Sequence, residues 1–203
     1  MLKNFSGNLN KYKEFEDIRI GVSEGFGSVA FDWLSENLYW TDSMHDWIAM
    51  QPAYTKDESM FKIIVSDGLR QPEGLAIDPL ARYIFWSDVH HDTIERTSLS
   101  GNERKILAFK SLKRVYSMVA DVDKQMLFWV DEIRGTLETC DYNGQNRRVI
   151  DRKKGSHPTS VDISMVCKQG MGLIKTPFKK DTSIKIFSSF TVQTQTYKIS
   201  FTS

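Results

Sequence analysis

The chain has 203 residues, 40% of them hydrophobic and 26% charged, a composition that belongs to a folded globular protein and excludes wholesale disorder. Its 27 Lys and Arg against 26 Asp and Glu leave a net charge of +1, too small a global field to gather nucleic acid or an acidic membrane. No apolar run reaches the ~18 residues of a membrane span, the N-terminus lacks the apolar core of a signal peptide, and two cysteines, Cys140 and Cys167, build neither a multi-bridge framework nor a four-ligand zinc site.

The charge is unevenly placed. Residues 1–150 carry 18 Lys/Arg and 23 Asp/Glu, whereas residues 151–203 carry 9 and 3. All five tryptophans precede residue 130. The change of composition divides the chain into a lead-in over 1–16, a patterned region over 17–165 and a basic, divergent tail over 166–203, for which strands and poor order are both open.

In chain order, Asp17–Val22 reads as an outermost strand left over from a preceding unit. A repeat then begins. Val29 and Phe31 alternate with Ala30 and Asp32, the period-two pattern of a half-buried strand, and Tyr39-Trp40-Thr41-Asp42 follows. The pattern returns at Leu75–Pro79 with Phe85-Trp86-Ser87-Asp88, and at Met118–Val122 with Phe128-Trp129-Val130-Asp131. In each copy an Asp (Asp32, Asp78, Asp121) stands 8 residues before the Trp, and the tryptophans lie 46 and 43 residues apart. Gly101 and Gly144 keep the 43-residue interval, as do Arg104 and Arg147. The first copy is looser. Lys62 reads as its counterpart of that Arg, which implies about four residues inserted around Met50 to Asp57.

Each copy reads as short strands separated by turns. Leu38–Thr41, Ile84–Ser87 and Leu127–Val130 have the aromatic, β-rich character of strands on a packed sheet. Gly101 and Gly144 mark tight hairpins, where positive φ is needed. Ile63–Val65, Lys105–Leu107 and Arg148–Ile150 add a further strand each. Four strands per ~43 residues is the size of one propeller blade, and no stretch shows helical periodicity. His157–Ile163 resembles the opening of another copy, but Gly172 stands where its Trp is due, and the pattern stops near Met165. The tail alternates at Ile184–Phe187 and Tyr197–Phe201, which suits a divergent closing strand, a loose tail or translated non-coding sequence.

The Tyr39-Trp40-Thr41-Asp42 segment, its two variants, the Asp 8 residues earlier and the Gly-x-x-Arg that follows resemble the class B (YWTD) repeats of the low-density lipoprotein receptor family, over roughly residues 17–163. The resemblance implies an all-β fold: an incomplete six-bladed YWTD-type β-propeller, with about three to four blades of four-stranded antiparallel sheet. Six blades of ~43 residues need ~258 residues, so the chain is expected to be a fragment of a larger ectodomain. Within the motif, Trp40, Trp86 and Trp129 are expected to fill the joints between blades, beside Tyr39, Phe85 and Phe128. Asp42, Asp88 and Asp131 are expected to end a strand and accept backbone N–H groups, with Thr41 and Ser87 as their neighbours. Arg104 and Arg147 are expected to reach a carboxylate or carbonyl of an adjacent strand.

Catalytic chemistry finds little support. His90-His91-Asp92 suggests a metal, but adjacent residues of an extended segment point to opposite sides, so a solvated turn is the better account, as for His45-Asp46. Neither cysteine has a neighbouring His, and no Gly-x-Ser-x-Gly elbow occurs. Gly25-Phe26-Gly27 is a turn and not a phosphate loop, because no helix pattern follows it. Cys140 is expected to be a half-buried thiol in a third strand. No catalytic residue, cofactor or metal is assigned. The loops after the motif strand are expected to share one face, and Asp46, Trp47, His90, His91, Asp92, Glu132 and Arg134 are its candidate ligand-binding residues. With unpaired acids in two of these three loops, that face suits a basic protein or peptide.

The resulting expectation is a non-enzymatic protein-binding module from the extracellular or cell-surface ectodomain of a lipoprotein-receptor-related endocytic or signalling protein, or of a related matrix protein. Its partner would be a protein ligand or an adjacent extracellular module, not nucleic acid, and any membrane anchor would belong to the parent protein. The alternatives are a metal-dependent lactonase or esterase on a propeller frame, and a truncated product without independent function.

Overall fold

The computed structural model describes residues 25–55, 57, 60–165 and 195–200. Among the described residues there is no helix. Twelve strands form three four-stranded antiparallel sheets, each a simple meander. The first holds β1 (Phe26–Asp32), β2 (Asn37–Asp42), β3 (Trp47–Pro52) and β4 (Lys62–Val65). The second holds β5 (Pro72–Asp78), β6 (Tyr83–Asp88), β7 (Thr93–Ser98) and β8 (Lys105–Ala108). The third holds β9 (Ser117–Asp121), β10 (Met126–Asp131), β11 (Thr136–Asp141) and β12 (Arg148–Arg152). These are three blades of a β-propeller. Their first strands pack successively against one another, β1 on β5 and β5 on β9, which places them innermost. The outermost strands β4, β8 and β12 form the free edges.

A fourth unit begins with β13 (Ser160–Met165), which packs on β9 as an innermost strand should. Its partner is β14 (Gln195–Ser200), antiparallel with Ser160 opposite Ser200 and Met165 opposite Gln195. The basic tail therefore contributes a strand overlapping the alternating stretch at Tyr197–Phe201, in keeping with the closing-strand alternative. Asp17–Val22, Gly172, Ile184–Phe187 and Cys167 lie outside the described residues.

The motif strand explains how a thin sheet builds two cores. Neighbouring residues of a strand point to opposite faces, so the paired aromatics at 39/40, 85/86 and 128/129 divide between the two joints of their blade. Tyr39 and Trp86 lie in one buried cluster with Ile48, Val65, Leu75, Ile84 and Leu99, which fills the joint between blades one and two. Phe85 and Trp129 lie in another with Ile94, Leu107, Met118, Leu127, Cys140 and Tyr142, between blades two and three. Trp86 and Trp129 are fully buried, and Trp40 is 2% exposed.

Candidate functional site

The recurring acids are consumed by the scaffold. Asp32 and Asp78 close the turn after the innermost strand, each accepting two backbone N–H bonds on Oδ1, from Leu34 and Ser35 at 3.0 and 3.1 Å and from Leu80 and Ala81 at 2.8 Å. Asp121 accepts from Lys124 N at 3.1 Å. Their second oxygens reach forward across the joint: Asp32 Oδ2 pairs with Arg82 Nη1 at 3.0 Å, and Asp78 Oδ2 accepts from Tyr142 Oη at 2.8 Å. The last residue of the motif does the same on the opposite face of the disc. Asp88 accepts N–H bonds from His91 in the following turn (3.0 Å) and from Arg70 in the linker arriving from blade one (2.7 Å). Asp131 repeats this with Arg134 (3.0 Å) and Lys113 (2.8 Å), and Asp42 caps its own turn through Met44 and His45 (3.0 and 2.9 Å). A carboxylate fully engaged by backbone donors holds a loop in place and is not poised for chemistry.

The hydroxyl of the motif is a latch to the next blade. Thr41 Oγ1 donates to the carbonyl of Glu73 at 2.7 Å, and Ser87 Oγ donates to that of Val115 at 2.5 Å. In the third blade the position is Val130, which has no hydroxyl. There Ser117 Oγ accepts from Val161 N instead, at 3.0 Å.

Arg104 and Arg147 reach both kinds of acceptor that the repeat suggests. Arg104 Nε donates to Glu95 at 2.7 Å, its Nη2 donates to the carbonyl of Gly68 at 3.2 Å, and its Nη1 donates to that of Asp67, in the linker leaving the preceding blade. Arg147 donates to Glu138 at 3.0 Å and to the carbonyls of Phe109 and Lys110 at 3.1 and 2.9 Å. Each guanidinium also lies over its motif indole, 5.4 Å from the Trp86 ring centre and 5.6 Å from that of Trp129. Glu95 and Glu138 recur at the same interval as the arginines and escaped the sequence reading, although that spacing was the signal for them. Gly101 and Gly144 sit at φ 91° and 78°, and a Cβ at either would come within 2.4 Å of the backbone oxygen of Ile64 or Leu107 in the blade before. The Gly-x-x-Arg pair is thus a close approach followed by a tether.

Lys62 is not the first blade's counterpart of these arginines. Lys62 pairs with Met50 and Ile63 with Ala49, as Lys105 pairs with Arg96 and Ile106 with Glu95. That register puts Phe61 at the position of Arg104 and Ala49 at that of Glu95, so three residues are inserted and not four. The first blade has exchanged an ion pair for an apolar contact, and Phe61 lies 6.2 Å from the Trp40 ring and 6.0 Å from that of Trp47.

The three loops expected to share a face do so. The turns after β2, β6 and β10 meet the linkers between blades on one rim, through Val89 N to Gln71 O at 3.1 Å and Glu132 N to Arg114 O at 2.9 Å. Their acids, however, are occupied. Asp46 Oδ1 accepts from Gln71 N at 2.7 Å, Asp92 lies 3.9 Å from Lys113 Nζ, and Glu132 lies 3.5 Å from Arg114 and 4.0 Å from His157. Asp46 and Asp92 also share a structural task with Gly135, a left-handed turn residue at φ 57°, 53° and 61°. Arg134 points inward, donating to Glu138 and to Ser111 O. The expected unpaired acids are corrected on this point: the backbone of Gln71 meets Asp46, and Lys113, Arg114 and His157 of the linkers around the third blade meet Asp92 and Glu132. His45 and His91 are more than solvated turn residues, for their Nδ1 atoms lie 3.2 and 2.9 Å from Asp42 and Asp88. His90 remains exposed, its ring 5.4 Å from that of His91. Trp47 stacks on His45 with ring centres 5.0 Å apart.

Cys140 is fully buried on β11, and burial pushes its thiol up to about 12. Among the described residues no three His, Cys, Asp or Glu side chains converge on a metal position, and no helix is long and apolar enough to cross a membrane.

Comparison with known proteins sets this geometry in context. No family model matches the chain. The nidogen chain of a crystal structure of a nidogen/laminin complex superimposes with a TM-score of 0.62 and 30% identity, over 67% of this chain and 51% of that one. The chain is built from YWTD-type propeller repeats. Mouse nidogen-2 is 38% identical to these repeats over 79 residues, covering 39% of the chain and 6% of nidogen-2. Protein cueball of Drosophila willistoni is 32% identical over 119 residues, 57% of the chain and 18% of cueball. The repeats thus span less than a fifth of the length of these curated relatives. Hydrazine synthase of Kuenenia stuttgartiensis shares the fold alone, at 11% identity and a TM-score of 0.55.

Proposed function

We propose that these repeats are part of a non-enzymatic, extracellular protein-binding propeller, and that the rim of hairpins and linkers carries the partner. The observation that carries this reading is the likeness to a nidogen chain seen in complex with laminin, at 30% identity. The spent carboxylates support it, because a hydrolase would keep unshared acids where these repeats use theirs on backbone N–H groups. Within the expected pair of parents, the nidogen likeness favours a matrix protein, and a receptor ectodomain is the alternative. The rim also offers apolar tips among polar groups: Met44 and Ile133 are 60% and 53% exposed in the turns after β2 and β10, the first of which carries the His45–Trp47 stack, and His90 is exposed in the turn after β6.

The test is binding of the whole chain to immobilised laminin by surface plasmon resonance. Saturable binding is expected, weakened about tenfold or more by Met44→Ala with His90→Ala, the size of an interface hot spot. Trp33→Ala with Leu80→Ala, on the opposite turns, should leave it unchanged. No saturable binding would end the nidogen-like partner, and equal losses in both variants would move the interface off this rim.

A further inference from the structure

The two linkers that flank the third blade carry a charge that the rest of the rim lacks. Residues 109–116 hold Lys110, Lys113 and Arg114, the last residue of β12 and the linker after it (152–159) hold Arg152, Lys153 and Lys154, and neither segment contains an Asp or Glu, the nearest acid being Asp151. All six cations are exposed. The fold brings the linkers together from 36 or more residues apart. They clasp the turn after β10 from both sides, through Glu132 N to Arg114 O at 2.9 Å and Lys153 N to Gly135 O at 3.0 Å. A single carboxylate spans them, with Glu132 Oε2 at 3.5 Å from Arg114 and Oε1 at 4.0 Å from His157. Apart from that pair and the loose Lys113–Asp92 contact, the acids of the turns are engaged elsewhere, and Lys110, Arg152 and Lys154 form no ion pair among the described residues.

We propose that this double linker is a binding surface for a sulfated polysaccharide. The cations stand on long, separate stems along the exposed rim, an arrangement suited to a polymer with anions spaced along it. A lone phosphate would instead need a concave nest of N–H donors. The exposed aromatic rings in the same linker each carry one of these cations, Lys110 at 5.3 Å from Phe109 and Arg114 at 5.7 Å from Tyr116, which takes one stacking face of each ring from the bases of a single-stranded nucleic acid. The surface goes beyond the protein-binding reading and stands whether or not laminin is bound.

Heparin is the probe, titrated against the whole chain by calorimetry over a range of salt. The triple variant Lys110→Gln/Arg152→Gln/Lys154→Gln should bind about tenfold or more weakly at physiological salt and lower the slope of log affinity against log salt by about two to three, one per lost contact. The variant Lys62→Gln/Lys105→Gln/Arg148→Gln removes equal charge from the outer edges and should stay within about twofold of the parent. All six residues are exposed, and thermal melts by circular dichroism establish that both variants fold. Equal losses in the two variants, or no heparin binding at low salt, would overturn the proposal. So would equal binding of desulfated heparin, or tighter binding of a polyglutamate peptide or a DNA duplex.

Discussion

Phe61 in the first blade occupies the position that Arg104 holds in the second. The register of the outer strands sets this equivalence, and Ala49 replaces Glu95 beneath it. Two solutions to one packing problem therefore coexist in the chain. In the second blade Glu95 is 4% exposed and also accepts from Thr93 at 2.9 Å. Arg104→Ala should destabilise by about 1.5–3 kcal/mol, the range for hydrogen bonds to a charged group, because Arg104 is itself 31% exposed and Thr93 still serves the carboxylate. Copying the first blade with Glu95→Ala/Arg104→Phe should recover a large part of that loss. Urea midpoints of the parent, Glu95→Ala, Arg104→Phe and the double variant form the cycle, and additive single effects would show that the pair acts as two unrelated side chains.

Tyr142 ties the third blade to the second through Asp78, which is fully buried. Burial raises the phenol's pKa first, with the bond to Asp78 and its charge adding to the rise, so the hydroxyl remains a donor at any working pH. Tyr142→Phe keeps the ring against Phe85, 4.6 Å away, and removes only the donor. A loss of about 1–3 kcal/mol is expected, the penalty for an acceptor left without its partner. A denaturation midpoint equal to that of the parent would mean that the bond contributes nothing.

Gly144 and Gly155 share a left-handed backbone, φ 78° and 76°, but not a neighbourhood. At Gly144 an added Cβ meets Leu107 O at 2.4 Å, whereas at Gly155 nothing lies within 4 Å. Gly155→Ala should cost about 1–2 kcal/mol from backbone strain alone. Gly144→Ala should cost clearly more, since the blades must also part. Similar melting temperatures for the two variants would rule out the close approach between blades.

Cys140 supplies a pH dependence with a definite sign. Its folded value of about 12 exceeds the ordinary thiol value of 9.0, mainly through burial. The unfolded chain therefore gives up this proton first as pH rises. The contribution is intact below about pH 9 and is lost as pH climbs toward 12. In a Cys167→Ser background, a thiol reagent at neutral pH should label the native protein only at the rate of unfolding. Immediate labelling without denaturant would contradict the burial.

These features were legible to different degrees. The repeat, its strands and the burial of Trp86 and Trp129 could be read from residue order, because alternation along a strand and recurrence at 43 residues are properties of the chain itself. The place of Phe61 could not, because strand pairing decides it and the insertion before it hides the count. Asp46 and Asp92 read as free acids because their partners, Gln71 N and Lys113, come from the linker between blades.

By itself the sequence determined the period of the blade, the order of its four strands and the residues that turn inward, all consequences of backbone geometry and apolar spacing over a few residues. Only the tertiary structure decided which groups meet across a joint: Asp78 with Tyr142, Arg104 with the carbonyls of Asp67 and Gly68, and two basic linkers around one turn. Those contacts join residues 18 to 64 apart in the chain, and their partners are set by how one blade packs on the next.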